Sequence, residues 1–158
     1  MRLKQRVSAR KSVRKFVRAN SGIAAIEFAI LGAVLCLIVV AVGDLGLGFY
    51  SYMQVQNSAQ AGAQYAAVHG FNSTAISSAV TSATSVSGIT ASPAPQQFCG
   101  CVSGSTMTTA TCGTVCPDGM SAGTYVSASA VRDYSTLISY PGFASTYHQT
   151  ATSTVRIQ

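Results

Sequence analysis

The sequence predicts an α+β protein. One long amino-terminal helix crosses a membrane and is followed by a second helix and a small antiparallel sheet held by disulfides. Three observations lead there. Ile23 to Val42 is an unbroken apolar run with a single charged side chain, Glu27. From Ile89 the composition turns to Ser, Thr, Gly and Pro with period-two alternation, the mark of short strands. Four cysteines, Cys99, Cys101, Cys112 and Cys116, fall within 18 residues of that second region.

Composition narrows the class. The chain has 158 residues, 48% of them apolar and only 9% charged, against roughly 25% charged in a soluble domain. Eight of its ten Lys and Arg lie in the first 18 residues, so the net charge of +6 becomes −2 without them. A basic block beside an apolar run, with no basic face elsewhere and no Trp, argues against nucleic-acid binding and against a soluble cytosolic domain.

Residues 1–22 read as a basic leader retained in the cytoplasm. Residues 23–43 form the membrane helix, since twenty helical residues span about 30 Å of hydrocarbon. Residues 44–70 continue that helix, with Leu45, Phe49, Tyr52, Ala59, Gly62, Ala63 and Ala66 as its apolar stripe and Gly70 as its terminator. Gly43, Gly46 and Gly48 are points where it can bend. Ala25, Ala29 and Ala33, and again Ala59, Ala63 and Ala67, repeat every four residues and suit close packing.

Residues 71–158 form the exported head. A second helix is expected over Asn72–Ser87, capped by Asn72 or Thr74 and ended by Gly88. The sequon Asn72-Ser73-Thr74 reads as this cap. Strands are expected at Gln97–Val102, Thr124–Val131 and Gln149–Ile157. Val126, Ala128 and Ala130 share one face, as do Ala151, Val155 and Ile157, and a Gly-Pro connection falls at Tyr140-Pro141-Gly142. The sheet is expected to lie on the long helix.

Glu27 needs an explanation, because a carboxylate in the apolar part of a membrane helix costs about 2.5–3.5 kcal/mol. It is the fifth residue after Gly22. Cleavage after Gly22 would give Ile23 a free amine one helical turn from Glu27, on the same face. A basic leader, a Gly and a Glu five residues on resemble the class III signal of prepilins. More specifically, the stretch RANSGIAAIEFAILGAVL resembles the amino terminus of TadE-like pseudopilins, minor pilin-like proteins of the tight-adherence (Flp, type IVb) pilus system. The matching residues are Gly22, Ala25, Glu27, Phe28 and Ala29. Asn57–Ala67, the Cys-containing carboxy-terminal region with YVSASA, and Arg156 are similar too. At Leu31-Gly32-Ala33-Val34 the chain lacks the proline that many relatives carry.

The resemblance implies a pilin-like fold in the bacterial inner membrane, amino end inside. It implies processing between Gly22 and Ile23 by a prepilin peptidase, and an assembly role for Glu27 and Phe28. The implied partners are the membrane, the peptidase and other pilin or pseudopilin subunits; no cofactor, metal or small-molecule substrate is expected. An alternative is an exported domain unrelated to pili, either anchored or released at Ala41-Val42-Gly43 ahead of Asp44.

The remaining motifs are read conservatively. Cys36 lies in the apolar run as a buried apolar residue. Cys99 and Cys101 are too close to pair, so each should bond to Cys112 or Cys116. Their C-x-C spacing does not suit a zinc site. Gly119-Met120-Ser121-Ala122-Gly123 fits G-x-S-x-G, with Asp133 and His148 following in hydrolase order. No alternating strand–helix pattern surrounds it, and it reads as a turn.

Overall fold

The structure, a computed structural model, describes residues 3–139, 142 and 144–158, with side chains from Gly22 onward. Its elements are α1 (Leu3–His69), α2 (Ser73–Ser82), β1 (Gln96–Ser103), β2 (Thr106–Ala110), β3 (Gly123–Ser135) and β4 (Thr146–Arg156). The chain divides into two compact units, Met1–Leu45 and Gly46–Gln158.

Described residues of the first unit are helical, and α1 passes through Gly22 without a break. The apolar run turns its side chains outward: Phe28 is 78% and Leu31 68% exposed. Cys36 is exposed as well, a correction to the burial expected of it. A single helix has no second element in its unit to cover any face.

The second unit has one antiparallel sheet in the order β2-β1-β3-β4. Val126 pairs with Val155 and Ala130 with Ala151, so the expected apolar faces coincide. That face packs on α1 and α2. The core joins Val55, Ala59 and Ala66 of α1, Ile76 and Val80 of α2, Ile89, and Val126, Ala128 and Ala130 of β3. Ile76 and Val80 are fully buried, each stabilising the fold by about 1.5–3 kcal/mol.

The small residues of α1 allow this closeness. A Cβ on Gly62 would lie 2.5 Å from Val80 Cγ2 and 3.0 Å from Ala128 Cβ. Ala63 is buried, but Ala67 is exposed and Ala66 takes its place. The stripe expected through Leu45, Phe49 and Tyr52 is also corrected, because these side chains are exposed. The buried face runs instead through Ser51, Val55 and Ser58, where small side chains let the sheet approach.

α1 ends at His69, with Gly70 at φ 78° donating its N–H to Ala66 O at 2.9 Å. Asn72 caps α2, its Oδ1 accepting from Ala75 N at 3.1 Å. α2 stops at Ser82, short of the expected Ser87. Its last turn explains this: Thr81 donates to Ser77 O and Ser82 donates to Ser78 O, side-chain bonds that bend and weaken a helix end.

β2 was not among the expected strands. It follows β1 through the two-residue turn Gly104-Ser105, with Gly104 at φ 61° and Ser103 paired to Thr106. β3 and β4 are longer than expected at their joined ends. Of their connection at Tyr140-Pro141-Gly142, the first two residues lie outside the described residues.

Candidate membrane and assembly segment

Gly22–His69 contains a helix long and apolar enough to cross a membrane, and the most apolar window has none of its residues buried. Gly22, Ile23, Glu27 and Phe28 are all exposed on α1. Ile23 and Glu27 are four residues apart in a helix, which puts them on one face. Glu27 is the only charged side chain from Gly22 to Gly43. Such a surface suits lipid or other helices of the same kind, and a lone carboxylate on it calls for a cationic partner.

In the second unit, β3 runs antiparallel to α1, and three approaches fix this direction. Ala128 lies against Gly62. Arg132 Nη1 donates to Ser51 Oγ at 2.8 Å. The Tyr134 ring comes within 3.5 Å of where a Gly48 Cβ would be. The steps agree in length: fourteen helical residues rise about 21 Å, and six strand residues about 20 Å.

The Arg132 contact belongs to a small polar cluster. Ser51, 2% exposed, donates to Gln149 Oε1 at 2.6 Å, and Gln149 Nε2 donates to Gly48 O at 3.0 Å. Arg132 and Gln149 are register partners on β3 and β4. Sequence reasoning missed this clamp between helix and sheet. Its signal was present, since Arg132 is the only Lys or Arg between Arg18 and Arg156.

The cysteines form two bridges, Cys99–Cys112 and Cys101–Cys116. Cys99 pairs with Thr124 across the ladder, so both β1 cysteines point to the same side of the sheet as Val126. The segment after β2 is thereby stapled over the β1 half of that face. Each bridge closes a loop of 13 or 15 residues, worth about 3 kcal/mol in the chain-entropy picture.

The hydrolase-like residues are not brought together. Ser121 lies in a tight turn, bridged to Val115, just before β3 begins. Asp133 Oδ1 and His148 Nδ1 are 2.6 Å apart on neighbouring strands, both side chains well exposed. From Gly123 to Asp133 the strand covers about 33 Å, which separates the serine from the pair. Among the described residues, no cluster of three His, Cys, Asp or Glu side chains suits a metal ion.

No curated protein and no solved structure matches the chain. Residues 22–64 match the family model for TadE-like protein. The matched segment opens on Gly22, contains Glu27 and Phe28, and reaches the α1 residues Val55, Ala59 and Gly62 that pack under the sheet. Over residues 22–64, the chain is similar to TadE-like proteins.

Proposed function

We propose that the chain is a minor pilin-like subunit of a tight-adherence (Flp, type IVb) pilus system, acting in pilus assembly and surface attachment rather than in catalysis. The observation that supports this best is the family match, which begins at Gly22 and covers the apolar helix and its single carboxylate. In this reading the basic leader stays in the cytoplasm, and a membrane prepilin peptidase cuts between Gly22 and Ile23. The apolar helix holds the subunit in the inner membrane with its head outside, until it packs beside similar helices of other pilin-like subunits.

Glu27 then has a defined task. The amine freed at Ile23 and the Glu27 carboxylate neutralise each other, within one subunit or between neighbours, and the pairing sets the axial register of packed helices. Phe28, beside Glu27 and exposed, packs against the adjoining helix.

The test is Glu27→Ala in cells. Membrane insertion should be unchanged, because removing a carboxylate from the apolar run only favours insertion. Cross-linking to other pilin-like subunits should fall about tenfold or more, since an unpaired amine left in the bilayer costs a few kcal/mol. Undiminished cross-linking and normal pili with Glu27→Ala contradict the proposal.

A further inference from the structure

We propose that the head makes a head-to-tail contact with a second copy of this chain. The stapled loop of one copy, at Val115, Asp118 and Met120, seats on the outer face of the other copy's sheet, at Val102, Met107 and Arg156. This contact goes beyond the assembly role of the apolar helix, because it involves the Gly46–Gln158 unit alone.

Charge picks out the two surfaces. From Gly46 to Gln158 the only Asp, Glu, Lys or Arg residues are Asp118, Arg132, Asp133 and Arg156. Arg132 is engaged by the Ser51 hydroxyl and Asp133 by His148. Asp118 and Arg156 have no side-chain partner of opposite charge among the described residues. Asp118 Oδ1 accepts from Met120 N at 3.0 Å, and Arg156 Nε donates to Gln158 O at 2.8 Å. These backbone bonds orient each group without engaging Asp118 Oδ2 or either Nη of Arg156. One acid and one base are thus left to complement each other between copies.

The two lie on opposite sides of the sheet. Arg156 pairs with Tyr125 and Tyr125 with Phe98, so alternation puts Arg156 on the same side as Phe98 and Val102. Met107 is the ladder partner of Val102 and shares that side. Cys99 and Cys101 point the other way and hold the loop that carries Asp118 there. Cys101 falls between Gly100 and Val102 on β1, so loop and patch stand back to back across one layer of sheet. A head cannot bring its own loop to its own patch; a second copy can.

Each surface also sets exposed apolar side chains beside its charge. Val115 is 66% and Met120 62% exposed on the loop, and Val102 45% and Met107 39% on the patch. Exposed apolar groups rimmed by polar ones mark association sites. Gly100 and Gly123 are ladder partners within the patch. Met107 Cγ lies 3.5 Å from where a Gly100 Cβ would be, and Arg156 Nε 2.9 Å from where a Gly123 Cβ would be. Methionine and guanidinium therefore lie low over the two glycines. The loop is a stiff projection by contrast. Val115 bridges to Ser121, Cys116 N donates to Met120 O at 2.7 Å, and Cys116 is bonded to β1. A preformed knob and a preformed patch lose little freedom on meeting. Because the two surfaces differ, the contact is heterologous and builds a ring or a row rather than a two-fold pair.

The experiment uses the full chain with Cys36→Ser in phosphatidylcholine–phosphatidylglycerol vesicles. Met107→Cys and Met120→Cys are made in separate, differently tagged proteins, reconstituted together and treated with a short bis-maleimide. Val68→Cys, at an exposed site on α1, reports random collision. Mass analysis of each protein confirms that both disulfides are in place. The expected result is cross-linking of the Met107 site in one protein to the Met120 site in the other, with little product between like sites or at Val68. Asp118→Arg in the Met120→Cys protein should lower that product about tenfold or more, since like charges then face each other. Arg156→Asp in the Met107→Cys protein should restore it. Preferential cross-linking between like sites shows a two-fold contact and overturns the inference. A Met107–Met120 product no stronger than that at Val68 also overturns it, as does one that Asp118→Arg leaves unchanged or that Arg156→Asp fails to restore. Each of these failures leaves cleavage at Gly22 and the role of Glu27 standing, because the labelled sites lie outside the apolar run.

Discussion

Arg132 of β3 donates a 2.8 Å hydrogen bond to the Ser51 hydroxyl of α1, which donates in turn to Gln149 Oε1 on β4 at 2.6 Å. One cation in an otherwise nearly uncharged head thus ties the sheet to the helix that leads out of the apolar run. Replacing it with Met keeps much of the side-chain volume and removes the donors. We expect Arg132→Met to destabilise the head by about 1.5–3 kcal/mol, the range for a hydrogen bond to a charged group. Denaturant unfolding of the detergent-solubilised chain measures this, and an unchanged midpoint would contradict the clamp.

Gly62 marks the closest approach of α1 to its neighbours. A methyl there meets Val80, Ala128 and Ile76, and the first two belong to separate elements that cannot both retreat. Gly62→Ala should cost about 1–3 kcal/mol through overpacking, despite the better helix propensity of Ala. Val68, 79% exposed on the same helix, serves as the control, with Val68→Ala changing stability by less than about 0.5 kcal/mol.

The two bridges make a prediction about pairing and another about stability. Partial reduction followed by peptide mapping should recover Cys99–Cys112 and Cys101–Cys116. Replacing both members of either pair with Ser should lower the stability of the head by about 2–5 kcal/mol. The β1–β2 half is expected to lose protection from hydrogen exchange before the α1–β3 core does, since only the stapled segment covers that half.

Much of this architecture was legible in the residues. The alternation of Val126, Ala128 and Ala130 placed β3 against the helix, and Asn72 announced the cap of α2. Periodicity misled where two adjacent helix stripes were both plausible. Phe49 and Tyr52 repeat at helical spacing, yet the sheet needs the small side chains Ser51 and Ser58 beneath it, so the large ones face outward. β2 escaped notice because Thr106–Ala110 buries almost nothing and offers no apolar alternation; its one signal was the Gly104-Ser105 turn. The Arg132 clamp depends on residues far apart in sequence, which no local pattern reveals. Pairing of the cysteines was open between two arrangements, because spacing alone does not say how the loop after β2 folds back.

The central claim is that Gly22 and Ile23 flank a processing site and that Glu27 answers the amine it creates. Amino-terminal sequencing of the protein recovered from membranes tests it most directly. The account predicts a chain beginning at Ile23. A chain beginning at Asp44, or one that retains Met1, would contradict it.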